Sequence, residues 1–392
     1  MLDNRGLKEI YSNEQVFIIL LARLQLGTCH LSAVTDHLQD APVNWQLVFK
    51  LAQVHSIRAF LYSAITTHGI EVPAQFLASL KKRYQATKLR NFEQIKACTE
   101  LVGKFAEQGI TLIPYKGALF AEGYYADWAA RESTDLDFLV DTVNVATIED
   151  WLINNHYKGI TTVPRPFLGY YKEFFKDIVY HKPGTPSAVE LHWRLLDKFS
   201  GQYPAYRFFS AGLVPYRTGS FAIQKLAPTY DFLAVASNHF VKDMSIKFKY
   251  LIDMACLIQK EAASLDTKLI LSTAKSYGFR KRLDIGLHLV NDILGINFTT
   301  DSKIYLSKDE LVAPLSVQLP LSRFYINELP FIKRSLQLQD SAWQKVKFML
   351  RCMCYVFLPT YADINAAQLP VYLLPVLAVL RPFRLIYQAI RH

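Results

Sequence analysis

Asp135 and Asp137 stand two apart in a stretch where Asp135, Asp137 and Leu139 alternate with Leu136, Phe138 and Val140. This period of two predicts a strand with one polar and one apolar face, and it sets both carboxylates on the same side with α-carbons roughly 6.5 to 7 Å apart. Two like charges that close raise each other's pKa unless a cation joins them, and one or two divalent ions meet that need. Magnesium held this way supplies a reaction: one ion lowers the pKa of an attacking hydroxyl, while the other holds a triphosphate and steadies the departing pyrophosphate. A third acid from a neighbouring strand completes such a cage. The run Ala188 to Arg194 offers one, because Glu190, His192 and Arg194 share a face opposite Val189, Leu191 and Trp193.

The elements that must position these acids follow from the flanking pattern. Asp177 to Lys182 and Ala188 to Arg194 are strand-like and separated by Pro183-Gly184-Thr185-Pro186, a turn signal that predicts a hairpin. Ile110, Leu112, Ile113 and Tyr115 form a short buried strand after Gly109, and Lys116-Gly117 then opens a helix through Tyr125. Asn144 to Asn155 reads as a helix on the sheet, with Asn144 as N-cap and Ile148, Trp151 and Leu152 facing inward. Upstream, Asn13 to Asn91 has helical periodicity, and Phe76 to Glu107 forms one or two long helices with an exposed basic face that includes Lys81, Lys88 and Lys96. Downstream, helices are expected at Tyr230 to His239, Phe248 to Gln259, Thr267 to Tyr277 and Arg280 to Leu294, followed by an extended helical region with loops. The fold class is therefore α+β: a core over 100–215 between helical regions at 1–99 and 216–392.

Composition sets the outer bounds. A hydrophobic share of 51% over 392 residues fits packed units and excludes general disorder. A net charge of +10 suits an anionic partner such as a nucleotide, a nucleic acid or an acidic lipid surface. The five cysteines show no CxxC spacing and no disulfide framework, and the N-terminal residues are polar and mixed in charge, so a cytoplasmic protein is expected. The apolar run Leu369 to Leu380 is broken by Pro370 and Pro375 and falls short of the roughly 20 residues of a membrane span.

The segments Tyr115-Lys116-Gly117, Arg131-Glu132-Ser133-Thr134-Asp135-Leu136-Asp137-Phe138 and Val189-Glu190-Leu191-His192-Trp193 together resemble the nucleotidyltransferase superfamily that shares the polymerase-beta palm. The likeness is greatest to a branch of uncharacterised bacterial nucleotidyltransferases with KG, R-x-x-x-D-[IL]-D and [DE]-L-H-W motifs, and the RxSTDLDF segment is similar to abortive-infection toxin nucleotidyltransferases. The resemblance extends to Trp45 to Tyr62, to a helix over His239 to Asp253, and to Leu369-Pro370 and Arg381-Pro382. It implies a palm of mixed sheet with flanking helices, an NTP as donor, Mg2+ as cofactor, and a hydroxyl acceptor that receives the nucleoside monophosphate. On this reading Asp135, Asp137 and Glu190 are the catalytic and metal residues, and Lys116, Gly117, Arg131 and Ser133 serve the nucleotide. In the superfamily a Gly-Ser pair opens the helix before the first catalytic strand and cradles phosphate; Lys116-Gly117 stands there instead, with a lysine charge in place of the serine contact.

Other residues leave alternatives open. Arg131 orients phosphate or a carboxylate. Ser133 and Thr134 either reach phosphate or bond the turn entering the strand. His192 reads as a hydrogen-bond partner of Glu190, and the histidines show no metal-ligand spacing. His239, Lys242, Lys249 and Asp253 either bind nucleotide or acceptor, or lace a helix with ion pairs. No GxSxG, GxGxxG or Walker A sequence occurs, which excludes serine hydrolases, dinucleotide binders and P-loop enzymes. Two rival functions are a silent regulatory module on the same fold and a nucleic-acid-binding protein working through the Lys81 to Lys96 helix.

Overall fold

A computed structural model describes residues 1–201, 203–300, 302, 304–316 and 329–391. Five short strands make one mixed sheet: β1 (Ile113–Pro114), β2 (Asp135–Leu139), β3 (Lys158–Gly159), β4 (Asp177–His181) and β5 (Ala188–His192), in the order β1-β2-β5-β4-β3. The chain is α+β, as its patterning implies. β4 and β5 pair antiparallel as the expected hairpin, while β2 and β5 run parallel, so the chain crosses over between them through the Val145–Asn154 helix, β3 and β4. The β2–β5 register sets Asp135 beside Ala188, Asp137 beside Glu190, and Leu139 beside His192.

The alternation in sequence becomes two different faces. Leu136, Phe138, Ile178, Tyr180, Val189 and Leu191 point into a core closed by Leu101 and Phe105 of the Ala74–Ala106 helix and by Ile148 and Leu152 of the Val145–Asn154 helix. Trp193 anchors the end of β5 there, its indole N–H donating to the Phe175 carbonyl at 2.6 Å. The opposite face carries the acids. Burying large side chains at about 25 cal/mol per Å² of apolar area makes this register costly to slip, because a one-residue shift would bring every acid inward.

Some expectations are corrected. The strand expected at Ile110–Tyr115 contracts to Ile113–Pro114, because Gly109 takes a φ of +71° and the Ile110 amide bonds the Phe105 carbonyl, closing the preceding helix. Asn144 does not cap its helix with its side chain; Asp141 organises the turn, accepting from the Val143 amide at 3.2 Å. The 239–253 segment is not one helix. His239 and Lys242 lie in a π-turn that ends the Pro228–Ala236 helix, and the chain then bends through Met244 and Ser245, both at positive φ, before the Phe248–Glu261 helix begins. A hairpin of β6 (Leu213–Thr218) and β7 (Phe221–Leu226) follows the main sheet without having been foreseen.

The helical stretches before and after the sheet share a core. Phe17, Leu51 and Leu61 pack in the same cluster as Phe232 and Leu251. Arg23, buried, donates from Nε to the Ile293 carbonyl at 2.7 Å. Chain ends far apart in sequence therefore form one platform beside the sheet. Among the described residues, no single helix is long and apolar enough to cross a membrane.

Candidate active site

The acidic face of the sheet opens into a cleft of about 340 Å³. Its floor is Asp135, Asp137 and Glu190; its walls come from Lys116-Gly117, from the Arg131–Thr134 loop, and from the 238–250 segment with Asn238, Lys242, Lys247 and Lys249. Asp137 and Glu190 face each other across β2 and β5, and one ligand atom each from Asp137, Glu190 and His192 lies within 4.8 Å of the others. His192 Nε2 is 3.1 Å from both Asp137 Oδ1 and Glu190 Oε2. Its expected role as a hydrogen-bond partner is seen, and the same nitrogen places it among the possible metal donors. Asp135 lies one pleat along β2, its Oδ2 accepting from the Thr134 hydroxyl at 2.6 Å. Thr134 thus bonds the first acid.

The electrostatics follow from this crowding. Burial alone would raise the Asp137 pKa, but Lys116, with Nζ 2.9 Å from Oδ1, and His192 outweigh it and hold the carboxyl well below its ordinary range. Glu190 is likewise held low against burial by its hydrogen bond to His192. Asp135 is raised, by burial and by the neighbouring Glu190 and Asp137 charges. Asp137, Glu190 and His192 form the group that could hold a metal ion, and Asp135, expected as a third ligand, lies outside it; the two carboxylates supply hard oxygen donors of the kind a divalent cation takes.

Lys116 and Gly117 earn their place through backbone geometry. Lys116 has φ +61° and ψ −155°, a conformation that costs a side-chain-bearing residue about 1–3 kcal/mol and that concentrates at functional sites. Gly117 follows at φ +65° and opens the Gly117–Tyr124 helix, where a β-carbon would sit 3.4 Å from the Asp135 carbonyl oxygen. The double turn brings the lysine over the acids, and the helix starts at the cleft wall. Ser133 is buried at the cleft wall beside Gly117.

Arg131 takes the carboxylate-orienting alternative. Its guanidinium is buried and forks onto Asp253, Nε to Oδ1 at 2.8 Å and Nη2 to Oδ2 at 2.9 Å, while Nη1 donates to the Gly117 carbonyl at 3.0 Å. Asp253 also accepts from Tyr125 Oη at 2.5 Å and from His239 Nε2 at 2.8 Å. Burial works against the Asp253 charge, yet Arg131 and His239 keep its pKa well below the usual carboxylate range. Asp253 therefore belongs to the ion-pair reading, with Arg131 as its counter-charge and His239 as a hydrogen-bond partner. His239, Lys242 and Lys249 all line the cleft, and burial, with Arg131 nearby, lowers Lys249 to about 7.

Two features carried no signal in sequence. Glu132 is buried between Arg58 and Arg83, with Nη2 to Oε2 distances of 2.9 and 2.8 Å, and this clamp ties the loop before β2 to two upstream helices. Lys247 and Tyr250 reach the cleft only because the chain bends at 244–245. Exposed lysines on the Ala74–Ala106 helix, including Lys81, Lys88 and Lys96, stand apart from the cleft's lining.

A family model described as uncharacterised nucleotidyltransferase matches residues 41–295, which holds the whole sheet, both acidic strands and the lysine-bearing wall. The chain belongs to this nucleotidyltransferase family. No curated protein and no solved structure matches it. The family match ends before the Leu369-Pro370 and Arg381-Pro382 pieces, so the C-terminal helices lie beyond it.

Proposed function

We propose that the cleft transfers a nucleoside monophosphate from an NTP to a hydroxyl acceptor with release of pyrophosphate, on a palm of the polymerase-beta type. The observation that carries this reading is the cross-strand pair Asp137 and Glu190, joined by His192 within 4.8 Å, on the floor of a cleft walled by lysines. Acids below and cations above fit a complex of opposite charges: a divalent metal on the floor and a polyphosphate along the wall.

Asp135, Asp137 and Glu190 would hold Mg2+, with His192 positioning the last two. The ion, when bound, supplies charge neutralisation of the phosphates and lowers the pKa of an attacking hydroxyl. Lys116 and the Gly117 helix start would receive phosphate oxygens, and Lys242 would add charge from the facing wall. Arg131 acts at one remove: it fixes the Gly117 carbonyl and so the helix start. Ser133 is assigned to the nucleotide by its place beside Gly117. Glu190 either completes the metal cage or accepts the acceptor's proton.

The test is incubation of the purified chain with labelled NTPs and Mg2+ in cell lysate, which offers protein, RNA and small-molecule acceptors together. Labelled product is expected, and Asp137→Asn or Glu190→Gln should reduce it at least about a hundredfold, or about 3 kcal/mol of barrier. Metal-independent nucleotide binding that survives Asp137→Ala, with no product, would replace this reading with a silent module.

A further inference from the structure

Beyond the family's segment, two helices expose apolar residues on the side away from the protein. In the Ala342–Tyr355 helix Phe348 faces the core, while Trp343, Val346, Met349, Leu350 and Met353 are exposed. At about 100° per residue the exposed set forms one stripe opposite Phe348. The Leu374–Arg391 helix repeats this arrangement: Leu377 and Arg381 are buried, and Val376, Val379, Leu380, Phe383, Ile386 and Tyr387 are exposed on the other side. A helix that is apolar on both sides is one that something else covers.

Charge identifies what covers it. From residue 342 to the end the chain carries Lys345, Lys347, Arg351, Arg381, Arg384 and Arg391 against Asp363 as the lone acid. Asp363 is already engaged, accepting from Arg381 Nε at 3.1 Å and Arg384 Nη1 at 2.5 Å. A second copy laid on the Ala342–Tyr355 stripe would bring Lys345 and Lys347 against the same lysines with no acid to answer them. An anionic bilayer answers them directly. Lys345 and Lys347 flank Val346 at the two borders of the stripe, where lysine stems lie along apolar surface and extend their ammonium groups to headgroups. Trp343, Tyr372 and Tyr387, each exposed, are side chains that settle at a membrane interface. The Tyr361–Ala367 and Val371–Tyr387 segments are together apolar enough for a span but bend by 115° at their junction, and neither is long enough to cross a bilayer alone.

We infer that the C-terminal helices seat the protein on an anionic lipid surface, with both stripes in the headgroup–acyl boundary. This inference is independent of the nucleotidyl-transfer reading. The experiment is cosedimentation of the full chain with vesicles of phosphatidylcholine plus phosphatidylglycerol, and with phosphatidylcholine alone, beside sedimentation velocity without lipid. Binding to the anionic vesicles is expected, weakening with salt, and at least tenfold stronger than to the neutral ones. Val346→Glu with Leu350→Glu, or Val379→Glu with Phe383→Glu, should each cut binding at least tenfold; all four residues are exposed, and an unchanged circular dichroism melt checks that the fold is kept. No binding to anionic vesicles, binding that the glutamates leave intact, or a lipid-free dimer that they dissociate without any vesicle binding would each overturn the proposal.

Discussion

Replacing Asp253 with asparagine should remove a large part of the chain's stability without touching the candidate metal site. The carboxylate is wholly buried and accepts four hydrogen bonds, two from Arg131, one from Tyr125 and one from His239. Asparagine keeps the shape but offers one acceptor oxygen, and its NH2 must face donors. At least two charge-assisted bonds are lost, at about 1.5–3 kcal/mol each, and Arg131 is left buried without a counter-charge. The two bonds alone come to about 3–6 kcal/mol, which overlaps the range of about 3–5 kcal/mol usual for removing one member of a buried ion pair. Urea unfolding followed by tryptophan fluorescence measures it. The double variant Arg131→Met, Asp253→Asn should recover part of the loss, since it removes the uncompensated guanidinium while the new amide still serves the Tyr125 hydroxyl and His239 Nε2. A cost below about 1 kcal/mol for Asp253→Asn, or no recovery in the double variant, would show that the network does not join the loop before β2 to the downstream helices as described.

Two further outcomes follow from local geometry. Gly117→Ala places a β-carbon 3.4 Å from the Asp135 carbonyl at a φ of +65°, so stability should fall by about 1–2 kcal/mol in urea unfolding, and Mg2+-dependent nucleotide affinity should fall with it in calorimetric titration. Asp231 is buried and its pKa is pushed up to about 6 by burial, with Tyr124 donating to Oδ2 at 2.8 Å. A carboxyl raised in the folded state contributes stability below its unfolded pKa and loses it as pH rises through about 6. Asp231→Asn should therefore leave stability unchanged near pH 3.5 and add roughly 3 kcal/mol at pH 8, from about two pKa steps at 1.36 kcal/mol each; a pH-independent effect would contradict this.

The acids were legible because period-two alternation dictates a face, and the Pro183–Pro186 turn dictates a hairpin, so Asp137 and Glu190 could be assigned to one side from local pattern alone. What remained hidden depends on distant contacts. Arg131 carries the same motif position whether it meets phosphate or Asp253, and only packing of the Phe248–Glu261 helix against the loop decides. The break at Met244 and Ser245 was equally invisible, because neither residue advertises a left-handed conformation; it is what lets Lys247 and Tyr250 line the same cleft as His239. Glu132 gave no sign of its two arginines, which come from 49 and 74 residues upstream.

The β2–β5 register has a consequence for how the chain tolerates change. Glu190 meets Asp137 only if two residues, Ala188 and Val189, separate it from the hairpin tip, and inserting a single residue there would turn the acid inward and an aliphatic side chain toward the phosphates. The exposed part of the tip, Pro183 to Pro186, bears no such constraint, so residues added there lengthen the turn without changing the register, which Ser187, buried and held by Gln94, helps to keep.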